Sequence, residues 1–310
     1  NMTIVFSHPG CLEHNMGEGH PERPARMDAV EQALQREGFD GRLVRRDAER
    51  AALDSIGLMH PQKYIDQIVA SVPSSGITRL DADTCLSPGS LEAALRAAGA
   101  ACSAVDAVVL GESKNAFCAV RPPGHHAETN QAMGFCIFNT VAIAAAYARQ
   151  RYGVERVAVI DFDVHHGNGT QEMFWSDQNL FFGSTHQMPL YPGTGSKSER
   201  GEFDNIVNCP LIAGDGSSEF RTAISDVILP GLETFQPDLL LVSAGFDAHM
   251  NDPLAGLNLQ DNDYAWVTKQ LLEVADKFTN GRLISTLEGG YDLLALTSSV
   301  ASHVEELVQA

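Results

Sequence analysis

Apolar residues along the chain fall into two alternating patterns. Three stretches, 156–163 (RVAVIDFD), 238–247 (DLLLVSAGFD) and 282–290 (RLISTLEGG), are continuous apolar runs closed by carboxylates or glycines. An unbroken run leaves no wet face, so each reads as a strand buried on both sides, as in parallel sheets. Residues 116–120 (AFCAV) form a shorter run of the same kind. The intervening segments carry helical patterns. These are 22–36 with Pro24 in its first turn, the Ala-rich 91–111 and 137–151, and then 217–235 and 261–279. Alternating strands and helices predict an α/β fold, with a central, mostly parallel sheet and helices on both faces. No internal repeat, low-complexity tract or Pro/Gly/Ser linker interrupts the chain. Residues 2–310 are therefore expected to form a single catalytic domain, with Asn1, ahead of Met2, left over from cloning. In such sheets ligands bind beyond the carboxyl ends of the strands, so chemistry is sought there.

Four strand ends are unusually polar. After 116–120 comes Arg121-Pro122-Pro123-Gly124-His125-His126, and the run at 156–163 leads into Asp161, Asp163, His165 and Asn168. The other two end in Asp247 and in Glu288-Gly289-Gly290-Tyr291. On an extended segment Asp161, Asp163 and His165 point to one side, and Phe162, Val164 and His166 to the other. Asp247 would complete an Asp/His/Asp set with an open position, suited to zinc or a similar divalent ion. Read alone, DxDxH is also a hydrogen-bonded turn after a buried strand. His125 and His126 would bracket a metal-bound water from a loop, one as general base and the other steering charge. Two structural histidines would look the same. Tyr291, after two glycines, could donate to a carbonyl oxygen as charge develops on it, or be a core tyrosine; Glu288 reads as structural. Gly134-Phe135 and Tyr191-Pro192-Gly193 could form a narrow slot for a linear alkyl chain, or simply pack in the core.

Composition narrows the field. Of 310 residues, 44% are hydrophobic and 20% charged, which fits a soluble enzyme and excludes disorder or collagen-like structure. The net charge of −19 argues against binding nucleic acid through its backbone. It suits a cationic substrate, or serves only solubility. The start TIVFSHPG is too short and polar for a signal peptide, and no apolar run is long enough to span a membrane. Cys11, Cys85, Cys102, Cys118, Cys136 and Cys209 form no CxxC pair, so reduced thiols in a cytoplasmic protein are expected.

Several of these segments together carry a resemblance. RPPGHHAE…GFCIFN, VIDFDVHHGNGTQ, SAGFDAH…DPLAG and LEGGYD resemble signature blocks of the zinc-dependent histone deacetylase superfamily. Their form is similar to class II members and bacterial deacetylase-like amidohydrolases. HPERPARM at 20–27 resembles the first-loop motif, and the likeness runs from about residue 5 to 305. The resemblance implies zinc on Asp163, His165 and Asp247, with His126 as general base and His125 as its electrostatic partner. It implies that Tyr291 polarises the substrate carbonyl and that Asp161 orients His125. Asn168 stands beside His126, where some classes carry Asp. An acyl-lysine channel is implied at Gly134, Phe135 and Tyr191, where Tyr191 replaces a common Phe, with a gatekeeper at Leu254. The rim aspartate would be Asp83, with Asp81 as a rival. Structural potassium is implied at an inner site of Asp161, Asp163, His165 and Ser184, partly through backbone carbonyls. An outer site is implied near Phe174, Asp177, Leu180 and Asn205; hard cations of this kind take oxygen ligands.

The activity so implied is hydrolysis of the N-acetyl or N-acyl amide of lysine side chains in proteins or peptides. Three alternatives stand beside it. An acetylpolyamine amidohydrolase would use the same machinery. Some polyamine-selective relatives carry a carboxylate where Leu254 stands, and Glu13, Glu18 or Glu22 could supply that charge instead. A dinuclear manganese ureohydrolase would need more bridging carboxylates and histidines than DxDxH and FDAH offer. A non-catalytic scaffold binding acylated partners would usually have lost a ligand or the tyrosine. Zinc or iron, the acyl group, and a homo-oligomer contacting through loops 9–22 or 187–204 are left open.

Overall fold

The computed structural model describes residues 2–310. Its first part comprises β1 (Thr3–Ser7), α1 (Ala25–Leu34), β2 (Leu43–Asp47), α2 (Leu53–Ile56), α3 (Gln62–Ser71), the short β3 (Thr78–Arg79) and β4 (Cys85–Leu86), and α4 (Ser90–Val109). Then follow β5 (Asn115–Cys118), α5 (Thr140–Tyr152), β6 (Val157–Asp161), α6 (Asn168–Phe174), β7 (Leu180–Gln187) and β8 (Ile206–Leu211). The chain continues through α7 (Ser217–Ala223), α8 (Leu229–Phe235), β9 (Leu239–Ala244), α9 (Asp261–Phe278), β10 (Leu283–Leu287) and α10 (Leu293–Gln309). Eight strands form one sheet in the order β2-β1-β5-β10-β9-β6-β7-β8, every neighbouring pair parallel; β3 and β4 form a separate antiparallel ribbon. This is the single-domain α/β architecture that the alternating pattern predicts.

The middle strands show why continuous apolar runs suit this place. Successive side chains point to opposite faces. Ala158 and Ile160 of β6 therefore join the core beneath α1, α9 and α10, while Val157 and Val159 join the core beneath α4 and α5. In β9, Leu240 and Val242 face the first core, and Leu239 and Leu241 the second. Among the described residues no helix is long and apolar enough to cross a membrane.

Boundaries differ from expectation where polar contacts override pattern. The helix expected over 22–36 begins only at Ala25, because Glu22 is tied into a buried ion cluster and Pro24 caps the helix instead of lying within it. The 137–151 helix starts at Thr140, where the Asn139 side chain accepts the Ala142 N–H, and ends at Gly153 in the left-handed region (φ 66°). The helix over 217–235 is interrupted by a π turn at Ile224–Ile228, followed by Pro230, which has no N–H to donate. Strands β1, β2, β7 and β8 carry no clear apolar run. β7 is buried throughout although its second half is Ser-Thr-His-Gln. β8 tolerates Pro210 because it lies at the edge of the sheet.

Candidate active site

The carboxyl ends of β5, β10, β9 and β6 lie side by side in mid-sheet, so the four polar segments converge. After β6 the chain does not run extended. The Asp161 carboxylate accepts the Asp163 N–H at 3.1 Å, and the Asp163 carboxylate accepts the His165 N–H at 2.9 Å. DxDxH is thus a hydrogen-bonded turn, and the same turn gathers a ligand set. Asp163, His165 and Asp247 each offer one ligating atom, all within 4.8 Å of one another. The inward atom of the imidazole is Nδ1, 3.0 Å from Asp247 Oδ2 and 3.5 Å from Asp163 Oδ1. Phe162 and Val164 turn away into the core. Asp247 holds the turn with its other oxygen, which accepts the Val164 N–H at 2.8 Å.

The donor chemistry suits a cation. Burial alone would keep His165 neutral, but hydrogen bonds and charge from Asp163 and Asp247 outweigh it and push the imidazole up to about 10. A place that concentrates negative potential in this way accommodates a divalent ion held by one nitrogen and two carboxylates. Gly289 completes the enclosure. Its N–H donates to Asp163 Oδ2 at 2.9 Å, and a Cβ there would lie 2.4 Å from Asp247 Oδ2 and 2.6 Å from Asp163 Oδ2. Gly289→Ala is expected to weaken metal binding by roughly 10–100-fold, the scale of disturbing groups that orient ligands, as read by competition with a chelator.

The histidine pair is split by its partners. His125 Nδ1 donates to Asp161 at 2.7 Å, and His126 Nδ1 donates to the Asn168 amide oxygen at 2.8 Å, with ring centroids 4.1 Å apart. Burial disfavours charge on both. On His125 the carboxylates of Asp161, Asp163 and Glu288 overcome it and hold the ring well above the ordinary histidine range. His126 has no carboxylate partner; burial and the charge on His125 hold it well below that range. Glu288 fixes the loop, accepting the Gly124 N–H at 2.8 Å and the Ser243 hydroxyl at 3.0 Å.

Tyr291 is held by groups that pattern reading missed. Its N–H donates to Asp252 at 2.9 Å, and the Arg26 guanidinium lies 4.9 Å from its ring centroid. Arg26 also donates to the carbonyls of Gly290 at 2.7 Å and Glu288 at 2.6 Å. The Tyr291 hydroxyl has no partner among the described residues. Arg26 and Arg121 both pair with Glu22, and all three side chains are fully buried. Glu22 therefore cannot offer charge to a substrate at the entrance, contrary to expectation; Glu13 and Glu18 are exposed. The cluster joins the HPERPAR and RPPGHH stretches, and no local pattern pairs them.

The aromatic loops lie over this centre. Phe135 adopts a left-handed backbone (φ 70°), rare for a bulky residue, anchored by its N–H to the Thr84 hydroxyl at 2.9 Å. Its ring meets His20 at 4.7 Å and Tyr291 at 5.8 Å. At Gly134, also left-handed, a Cβ would lie 2.5 Å from the His126 ring. Tyr191 packs edge-on against His126 at 5.4 Å. Asp81 closes a turn by accepting the N–H groups of Asp83 and Thr84, both at 3.0 Å. The half-buried Asp83 carboxylate instead accepts the Thr84 hydroxyl at 3.1 Å. Half-buried Leu254 donates its N–H to Asp252 at 2.9 Å, so one carboxylate ties the Leu254 and Tyr291 segments together. Ser184 lies beside Asp161 in the β6–β7 register, while Phe174, Asp177 and Leu180 direct carbonyls at the Asn205 side chain.

Fold and site together are those of a hydrolase built around a metal-ligating cluster. The chain belongs to the histone deacetylase family, whose histone deacetylase domain matches residues 20–307. It is 43% identical to an uncharacterized protein of Synechocystis over 99% of both chains. It is 37% identical to a histone deacetylase-like amidohydrolase of Pseudomonas aeruginosa, over 96% of this chain and 79% of that one. The crystal structure of the HDA15 HD domain superposes with a TM-score of 0.93 at 34% identity, covering 100% of this chain and 88% of that one.

Proposed function

We propose that the protein hydrolyses the N-acetyl or N-acyl amide of lysine side chains in proteins or peptides, releasing the carboxylate and the free amine, with zinc as its metal. The observation that carries this reading is the Asp163–His165–Asp247 cluster beside a charge-split histidine pair and an unpartnered phenol. Zinc bound there would supply Lewis acidity to the amide carbonyl and lower the pKa of water. His126, neutral and with Nδ1 engaged by Asn168, keeps its Nε2 lone pair free to take a proton from the attacking water and return it to the departing amine. His125 stays charged beside it and favours the anionic intermediate. Tyr291 donates its hydroxyl to the carbonyl oxygen as negative charge grows there. Phe135 and Tyr191 line the approach for the lysine methylenes, with the Asp83 carboxylate at the rim.

The same proposal places potassium among the oxygen donors of Asp161, Asp163, His165 and Ser184, a set of the right kind for a hard monovalent ion. The neutral Asn168 partner resembles class II members. All six cysteines are free and buried, in keeping with a reducing cytoplasm.

Apolar Leu254 favours acyl-lysine over acetylpolyamine, and the burial of Glu22 removes one candidate for gripping a polycation. Among the described residues one three-ligand cluster is present, which disfavours a dinuclear centre. The test is turnover of the zinc-loaded protein on an acetyl-lysine peptide and on N-acetylputrescine in parallel. Peptide turnover that is lost in Tyr291→Phe is expected. Turnover of the polyamine alone would move the protein to the polyamine branch and direct attention to Glu13 and Glu18.

A further inference from the structure

Away from the active site, three main-chain carbonyls converge on one atom. Phe174 ends α6, Leu180 opens β7, and Asp177 lies between them. Their oxygens lie 2.8, 2.8 and 3.0 Å, respectively, from Asn205 Nδ2. The Phe174 and Asp177 carbonyls each accept one backbone N–H, from Asp177 at 3.2 Å and Leu180 at 3.1 Å; each has a second lone pair at the negative end of the helix, which suits a further donor or a cation. An atom touching three carbonyl oxygens cannot be an acceptor, which identifies it as the amide nitrogen. The oxygen end of the amide is fixed independently. It accepts the Phe203 N–H at 3.4 Å and lies 2.3 Å from where a Cβ on Gly201 would stand, and Gly201 has a left-handed backbone. Asn205 is 4% exposed, and its own carbonyl accepts the Phe182 N–H at 3.0 Å, joining β8 to β7.

We infer that the Asn205 amide takes the place of the outer potassium that the resemblance implies at these residues. The three carbonyls surround a tethered donor as they would surround a monovalent ion. Two amide protons serve three acceptors, one of them shared. The junction of α6, β7 and β8 then closes without an ion, and the chain has one cation site fewer than expected. This holds whatever the substrate.

The test is Asn205→Asp, nearly isosteric, which sets carboxylate oxygen against carbonyl oxygens and creates a demand for a cation. Bound thallium(I), a potassium surrogate, is counted per chain by equilibrium dialysis at pH 8, and melting temperatures are compared in choline chloride and potassium chloride. The expected result is one more bound cation in the variant than in the wild type, and a melting temperature several degrees lower in choline that potassium restores. Equal cation counts in the two proteins overturn the inference. If the Asp variant folds in neither salt, Asn205→Ala replaces it. One added cation there supports the inference, and an unchanged count overturns it.

Discussion

Replacing Tyr291 with phenylalanine is expected to lower kcat on an acetyl-lysine peptide by about 10²–10³, the loss that follows deletion of one oxyanion donor, and to leave KM close to wild type. The clean separation follows from the surroundings. The hydroxyl has no partner among the described residues, so its removal orphans no buried group. The ring keeps its contacts with Arg26 at 4.9 Å and Phe135 at 5.8 Å, and the N–H keeps Asp252. Stability should therefore stay within about 0.5 kcal/mol, the range of substitutions that touch no such feature. Steady-state kinetics at matched metal content, paired with a melting curve, read both quantities. Near-normal turnover in the variant would sink the role assigned to the phenol.

The second large effect is on stability in mild acid. His14, His60 and His186 are each held down to about 4, and His303 to about 3, in every case chiefly by burial. In the unfolded chain each titrates near 6.5. As pH falls below 6.5 the unfolded state takes up protons that the folded state refuses, so stability declines by about 1.4 kcal/mol per pH unit per histidine, levelling off only below the folded values. At pH 5 that is about 2 kcal/mol for each histidine, a substantial part of the stability of a typical domain. Urea midpoints between pH 7.5 and 4.5 should fall steeply below pH 6.5. His303→Gln should flatten the decline by the share of one histidine, about 2 kcal/mol at pH 5, since His303 bridges Thr268 and Ser285 with no charged partner. A flat profile over that range would contradict the linkage.

What could be read in advance follows from where information is local. Strands β6, β9 and β10 are legible because burial on both faces leaves no polar position to confuse the pattern. β7 is not: Ser184 to Gln187 are polar and inside, and only the folded chain brings their partners, among them the Gly195 carbonyl for His186 and the Gly256 N–H for Gln187. The candidate ligating and proton-handling side chains are legible because Asp, His and Tyr just past apolar runs have few structural uses there. Their arrangement is not. An extended Asp163–His165 segment is expected, but the carboxylates find backbone N–H groups two residues on and form a turn. The Glu22–Arg26–Arg121 cluster depends on a contact 99 residues apart in the chain, which no local pattern carries.

The strand order has a consequence for synthesis. β10, made after every other strand of this sheet, lies between β5 and β9 in its middle. Until it arrives, β2-β1-β5 and β9-β6-β7-β8 are two half-sheets, each with an unpaired parallel edge. The nascent chain must hold those edges apart, and a transcript truncated before residue 283 would yield a product with both open. Such products are substrates for chaperones and proteases. Tyr291, supplied just after β10, cannot join the other site residues until this final insertion has closed the sheet.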